Sequence, residues 1–381
     1  VKVAFCIRQD YDTMIGGDSI QLLKTREHLE KSFPVTIDIV TRPEDLHTGY
    51  DLVHIFNLAT RDTTLAFLNK ANALQLKIAL STIFWNYTYQ AGKDVAAAAG
   101  YNIPVSPWQA TLINGFSKLS AAISGKPRML AAPFRRLCRE SIGSANILLP
   151  NSIEELGELA RFTGLPFTEL EKKTQVVVNA ASFSANNEAA ADGGVAADDL
   201  NSYNLPEKFL LQIGRIEYVK NQLNLVRALY RDTDIAIVFI GKVNDEKYYR
   251  KLKQLSEARG NVFFIDHVPH DRVNAFYKRA LLHVLPSFRE SPGLVSLEAL
   301  ANECKVVVSQ DGFAPVRTYF FDKYATVIHP ASLPSIRAGV LAEIRQQRDM
   351  AAISADIRAH FNWEKAAEQT FSAYRKICPG K

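Results

Sequence analysis

Several protein classes are excluded by what this sequence lacks. Its 381 residues contain no Cys-x-x-Cys pair and no Cys/His cluster, which argues against a zinc site. The four cysteines, Cys6, Cys138, Cys304 and Cys378, stand far apart. Cys6 and Cys304 lie among apolar neighbours and read as reduced core residues of a cytosolic protein. No run of about 18 apolar residues occurs, so no membrane-spanning helix is expected. The opening stretch Val1-Lys2-Val3-Ala4-Phe5-Cys6-Ile7 turns polar too soon for a secretory leader and reads as a first strand. Charge of one sign is also scarce. The 45 Lys and Arg against 40 Asp and Glu leave +5, too little to imply nucleic-acid binding and compatible with an anionic small ligand or membrane surface.

What is present is alternation. Val1–Ile7, Val35–Val40, Asp51–Phe56, Leu76–Ile83, Asn146–Leu149 and Gln175–Val178 read as strands. Ser19–Lys31 and Thr63–Ala73 read as helices between them, and Ser152-Ile-Glu-Glu155 is a capping box opening a helix that Gly164 can close. Residues 184–202 nearly lack large apolar side chains and read as a linker or exposed insertion. Beyond them the pattern restarts. Lys208–Ile213, Ile235–Ile240, Asn261–Ile265, Leu282–Leu285, Lys305–Ser309 and Ala325–His329 are strand candidates. Helices are expected over 219–231, 245–258, 271–280 and 293–302, with Leu333–Gln346 and Trp363–Ile377 as terminal helices. Strands and helices alternating in this way predict an α/β chain of two Rossmann-like, doubly wound domains. Ligands bind off the carboxyl ends of such strands, so two such domains facing each other make a cleft and a default active site.

Two segments carry chemistry. In Leu285-Pro-Ser-Phe-Arg-Glu290-Ser-Pro-Gly-Leu-Val-Ser-Leu-Glu298, Ser291 reads as a helix cap and Pro292 as the first helical residue. The amides of Gly293, Leu294 and Val295 would then face outward at a helix N-terminus, where a phosphate is well held. Glu290 and Glu298 flank that tip. A nucleotide sugar, with hydroxyls at both ends and a diphosphate between, matches the layout: Glu290 for the sugar and Glu298 for the ribose. Singly, the two acids would be ordinary surface groups. In Phe209-Leu-Leu-Gln-Ile-Gly214-Arg215-Ile-Glu-Tyr-Val-Lys220, a strand runs into a turn at Gly214. Lys220 is expected at the next helix start, against the dipole preference unless it has an anionic partner. Arg215 and Lys220 together could stabilise charge on a departing diphosphate.

Gly214-Arg215 with Lys220, followed by Glu290 and Glu298, resembles the retaining glycosyltransferases of family 4 (glycosyltransferase group 1), which have the GT-B fold. Gly16-Gly17 follows the first strand, where that family has a glycine loop near the donor phosphates. Pro150-Asn-Ser-Ile-Glu154 and Val176-Val-Val-Asn179 resemble two further stretches of the family. Phe264-Ile-Asp-His-Val268 resembles the segment that meets the base, and Phe361-Asn-Trp363-Glu364 the last helix, which crosses back to the first domain. One departure stands out. Many members carry a His after the fourth strand, whereas this chain reads Ala79-Leu-Ser81-Thr82-Ile-Phe-Trp85-Asn86. Ser81, Thr82 or Asn86 could fill that space, or His54 could substitute for it, although a satisfied structural His is the stronger reading.

The resemblance implies a donor-and-acceptor division of labour. An acceptor-binding domain spans 1–183, a linker 184–204, a nucleotide-sugar-binding domain 205–362, and a crossing helix 363–381. It implies catalytic roles for Arg215, Lys220 and Glu290. Donor contacts fall to Gly16, Gly17, Gly214, Val268, Gly293, Leu294, Val295 and Glu298. No metal and no cofactor are expected, the nucleotide-diphosphate sugar being a substrate. The expected partners are that donor and a glycan or lipid-linked acceptor, in polysaccharide, lipopolysaccharide or glycolipid assembly, without nucleic acid. Residues 116–139 mix Lys118, Lys126, Arg128, Arg135, Arg136 and Arg139 with apolar side chains, so peripheral contact with the inner face of an anionic membrane is a second expectation for a cytoplasmic enzyme. Pro133 is expected to interrupt any helix there. The alternatives are a nucleotide-sugar-binding module without turnover and a sugar-nucleotide epimerase on the same fold.

Overall fold

The computed structural model describes residues 1–14, 16–85, 131–181, 200 and 202–380. The described residues form two compact units. The first comprises those of 1–85, 131–180 and 361–380, and the second comprises 181, 200 and 202–360.

In the first unit the strands are β1 (Lys2–Cys6), β2 (Thr36–Val40), β3 (Leu52–Phe56), β4 (Lys77–Ser81) and β5 (Ile147–Leu148). They form an all-parallel sheet in the order β2-β1-β3-β4-β5. The central strands are apolar throughout because helices cover both faces. On one face lie α2 (Arg61–Ala73), α3 (Ala131–Ser144) and α4 (Ile153–Thr163), which share a core with Val53, Ile55, Ile78 and Leu80. The short α5 (Phe167–Lys172) follows α4. On the other face, α1 (Gly17–Ser32) and the last helix, α13 (Trp363–Ile377), bury Leu22 and Leu29 together with Trp363, Ala366, Ala367 and Tyr374 against Val3 and Phe5. Asn362 starts α13 by accepting the Lys365 amide at 2.9 Å. The spacing of Trp363, Ala366, Ala367, Thr370, Ala373 and Tyr374 makes one apolar stripe.

In the second unit β6 (Leu210–Ile213), β7 (Ile237–Ile240), β8 (Val262–Ile265), β9 (Leu282–Leu285), β10 (Val306–Ser309) and β11 (Thr326–Ile328) form a parallel sheet in the order β11-β10-β9-β6-β7-β8. The helices between are α6 (Gln222–Ala228), α7 (Glu246–Arg259), α8 (His270–Arg279), α9 (Leu294–Ala301), α10 (Phe321–Tyr324), α11 (Leu333–Arg345) and α12 (Met350–His360). Each sheet starts in its middle and grows both ways, so each has a point where the winding reverses: between β1 and β3 in the first, and between β6 and β9 in the second.

Several expectations change. Residues 175–178 are not a strand. The amides of Gln175 and Val177 do pair with the carbonyls of Leu148 and Pro150, but that of Val178 is taken by Gln369 Oε1 at 2.9 Å. The helix expected over 219–231 is split. Tyr218–Lys220 is a 3-10 turn, and Asn221 adopts φ 61 while its Nδ2 donates to the carbonyls of Pro286 and Pro330, both at 2.8 Å. Lys220 therefore sits on a turn and not at an α-helix start. Pro133 does not interrupt α3. The described part of α3 runs through Pro133 from Ala131 to Ser144. Helix α12 was not expected from the sequence. Residues 184–199 and 201 of the linker, 116–130 of the basic stretch and Asn86 lie outside the described residues. No helix among the described residues is long and apolar enough to cross a membrane.

Candidate active site

In the second unit the reversal point brings two loops together. The loop after β6 carries Gly214, Arg215 and Lys220, and the loop after β9 carries Glu290. The Lys220 Nζ lies 2.7 Å from Glu290 Oε1, with both side chains largely shielded (18% and 8% exposed). Three contacts hold Lys220 in place. Its stem passes over Gly214, its carbonyl accepts from Gln212 Nε2 at 2.7 Å, and the Phe288 amide donates to the neighbouring Val219 carbonyl at 2.9 Å. The Tyr218 and Phe288 rings stack at 5.2 Å and join the two loops. Glu290 is tied from the other side, its amide donating to the Phe313 carbonyl at 2.9 Å.

Beneath the pair lies His283 on β9, fully buried. Burial and then the nearby Lys220 charge push its pKa down to about 3, so the ring is neutral. Its Nε2 accepts weakly from the Ile213 amide at 3.5 Å.

The helix tip differs from the sequence reading. Ser291 is not the cap and Pro292 is not the first helical residue. Gly293, at φ 84, caps α9 and Leu294 begins it. The positive φ favours glycine there. A Cβ on Gly293 would also stand 3.1 Å from Leu285 Cδ2 and 3.4 Å from the Glu290 carboxylate. The outward amides thus start at Leu294 and Val295, while that of Ser296 already donates to the Gly293 carbonyl at 2.9 Å. Glu298 is half-buried on the next turn, four residues or about 6 Å along the axis, with the Tyr277 hydroxyl 3.5 Å from its Oε2. Val268 is buried in the loop after β8. Arg215 does not join the cluster. Its side chain is 63% exposed and pairs with Glu217 at 3.2 Å, itself held by Asn244 Nδ2 at 2.7 Å.

In the first unit the reversal point carries a group that sequence reasoning passed over. Arg8, after β1, binds Asp18 in the first turn of α1 through Nε at 3.1 Å and Nη2 at 3.3 Å. Asn57, after β3, donates to Asp18 Oδ2 at 3.1 Å. Gly16 is the N-cap of α1 and Gly17 its first residue. The only signal in the sequence was Asp18 beside the glycine pair.

His54 is unavailable as a substitute for the missing His. It is buried on β3 between the Tyr374 hydroxyl at 2.6 Å and Ser81 Oγ at 2.8 Å. Burial pushes its pKa down to about 3. Thr82 is also engaged, donating to Glu155 Oε1. That carboxylate further accepts the amides of Phe84 at 2.9 Å and Asn151 at 3.2 Å. Only the Ser152 half of the expected capping box forms, accepting the Glu155 amide at 2.9 Å.

The winding-reversal point of this parallel sheet thus presents a shielded Lys220–Glu290 pair near the start of α9, at the edge where sheets of this kind bind ligands. Residues 198–323 match the family described as glycosyl transferases group 1. The chain is 26% identical over 258 residues to a D-inositol 3-phosphate glycosyltransferase of Corynebacterium diphtheriae, a match covering 63% of this chain and 58% of that protein. It is 29% identical over 181 residues to an alpha-maltose-1-phosphate synthase of Mycolicibacterium smegmatis, covering 43% and 47%. The chain thus spans about half the length of these relatives. Its fold is that of sucrose-phosphate synthase from Thermosynechococcus elongatus (TM-score 0.71, 16% identity, 100% of both chains). It also matches a UDP-forming trehalose-phosphate synthase from Burkholderia xenovorans (TM-score 0.64, 11% identity, 100% of this chain and 99% of that one). The two α/β units are those of the GT-B fold.

Proposed function

We propose that the protein transfers a sugar from a nucleotide-diphosphate donor to an acceptor hydroxyl with retention of anomeric configuration and without a metal. The observation that carries this reading is the Lys220–Glu290 pair at 2.7 Å beside the start of α9. A shielded ammonium next to outward amides gathers positive potential where charge grows on a leaving diphosphate. Glu290, touching Lys220 through one carboxylate oxygen, orients that ammonium and offers its other oxygen to a sugar hydroxyl. Leu294 and Val295 amides receive phosphate oxygens, Glu298 holds the ribose and Val268 flanks the base. Arg215 joins by leaving Glu217 when the donor arrives.

The acceptor is a glycan or lipid-linked hydroxyl in polysaccharide, lipopolysaccharide or glycolipid assembly, at the cytoplasmic side. Arg135, Arg136 and Arg139 on α3 and the basic residues before them support peripheral contact with an anionic leaflet. The names of the two relatives, which specify an inositol phosphate and a maltose phosphate, support adding phosphorylated sugars and polyols to the acceptors tried. The decisive experiment is release of nucleoside diphosphate from uridine, guanosine and adenosine diphosphate sugars with and without acceptor. Release that rises with acceptor supports transfer. Donor conversion without acceptor indicates an epimerase, and binding with no release indicates a module without turnover. The engagement of His54 favours that last alternative as the second reading.

A further inference from the structure

The two ends of the Arg215–Glu217 ion pair are held very differently. The Arg215 main chain is fixed. Its carbonyl accepts from Gln222 Nε2 at 2.9 Å, and the Gly214 and Ile216 amides on either side donate to the carbonyls of Ile240 and Lys242, both at 2.9 Å. Its guanidinium is the loose part, 63% exposed, with Nη2 3.2 Å from Glu217 Oε1. Glu217 is the anchored part, only 14% exposed. Its Oε2 accepts from Asn244 Nδ2 at 2.7 Å, and the Asn244 amide donates to the Ile216 carbonyl at 3.1 Å. A parallel bridge between Ile216 and Val243 completes the lacing of the loops after β6 and β7. The guanidinium is therefore free to swing, whereas the carboxylate cannot follow it. The Arg215 side chain also starts close to the Lys220–Glu290 pair. Gly214, one residue before it, lies against the Lys220 stem, and a Cβ there would stand 3.5 Å from Lys220 Cε.

We propose that Glu217 is a positioning residue that parks Arg215 outside the phosphate site, so that the second cation enters only when a diphosphate competes it away. This rests on the reading of Lys220, Glu290 and Arg215 given above. Lys220 is preset, and Arg215 is conditional. The competition favours the ligand. An exposed ion pair holds its partners by no more than about fivefold, whereas a diphosphate offers the guanidinium fork several charged oxygens for paired N–H bonds. Release strands no buried charge, because Glu217 keeps Asn244 as its donor. Glu217 itself touches no ligand and acts only through Arg215.

The test is calorimetric titration of wild type, Glu217→Gln, Arg215→Gln and the double variant with uridine, guanosine and adenosine diphosphate at low salt. Glu217→Gln keeps an acceptor for Asn244, so the two loops stay laced. Arg215→Gln should weaken the nucleotide that wild type binds by about tenfold. Glu217→Gln should bind it about three- to fivefold more tightly than wild type, because Arg215 no longer has to be released. In the double variant that gain should vanish, leaving affinity within about twofold of Arg215→Gln. A carboxylate that merely repels phosphate would give the same gain with or without Arg215. One that merely braces the loop would give a loss. Either result, or Glu217→Gln binding no differently from wild type, overturns the inference while wild-type binding stands. Arg215→Gln that binds as tightly as wild type overturns it as well and leaves the Lys220–Glu290 pair as the site. Wild type that binds none of the three nucleotides overturns the functional reading and this inference with it.

Discussion

Lys220 and Glu290 meet at 2.7 Å although 70 positions separate them in the chain. The contact exists because β6 and β9 are neighbours in the sheet and the loops leaving them emerge on the same edge. Each group is largely shielded, so each is the other's principal compensation for lost hydration.

Lys220→Ala should reduce kcat by about 10²–10³-fold, the usual cost of removing one preorganised stabiliser of developing negative charge. Steady-state kinetics on the best donor checks this, with circular dichroism to confirm the fold. Wild-type turnover in the variant would refute the assignment of Lys220.

Glu298→Ala should weaken nucleotide binding by about tenfold or more, as expected for a lost hydrogen bond to a charged group, with a smaller effect on kcat at saturation. Calorimetry with the nucleoside diphosphate reads this directly. Affinity equal to wild type would remove Glu298 from the ribose.

Glu155→Ala should destabilise the first unit by about 3 kcal/mol or more. It leaves the Thr82 hydroxyl and the Phe84 and Asn151 amides buried without their acceptor, each costing about 1–3 kcal/mol. Chemical denaturation of the variant gives the value. A loss below about 1 kcal/mol would show that the carboxylate is dispensable.

Stability should fall as the solution is acidified. His54 and His283 are both fully buried, and burial pushes both down to about 3. In the unfolded chain they would titrate near 6.5. Above that pH both states are neutral and the stability is fully present. Between about 6.5 and 3 the unfolded chain binds protons that the folded chain refuses, so each His lowers stability by about 1.4 kcal/mol per pH unit. Denaturation midpoints between pH 7 and pH 5 should drop accordingly, and His54→Gln should flatten the dependence. An unchanged slope in that variant would show that His54 does not carry it.

The fold class was legible because it is written locally. Apolar runs such as Ile237-Val238-Phe239-Ile240, which became β7, alternate with amphipathic stretches, and buried parallel strands require that pattern. Ser152 and Gly164 likewise marked both ends of α4, where cap chemistry is set by one residue each. Boundaries governed by distant partners were not legible. Asn221 breaks the expected helix because the carbonyls of Pro286 and Pro330 claim its side chain. Gly293 displaced Ser291 as the cap because of a left-handed turn that packs against Leu285 and Glu290.

The same division runs through the site. Residue types and spacing alone pointed to Lys220, Glu290 and Glu298, since strand ends and helix starts dictate which side chains can reach a common edge. Only the folded chain decided that Glu290 pairs with Lys220, that Arg215 turns to Glu217, that His54 is sealed between Tyr374 and Ser81, and that Arg8 and Asp18 occupy the first reversal point. Apart from the local Arg215–Glu217 pair, those outcomes depend on how strands and helices pack, which brings together residues between 10 and 320 positions apart that no local pattern connects.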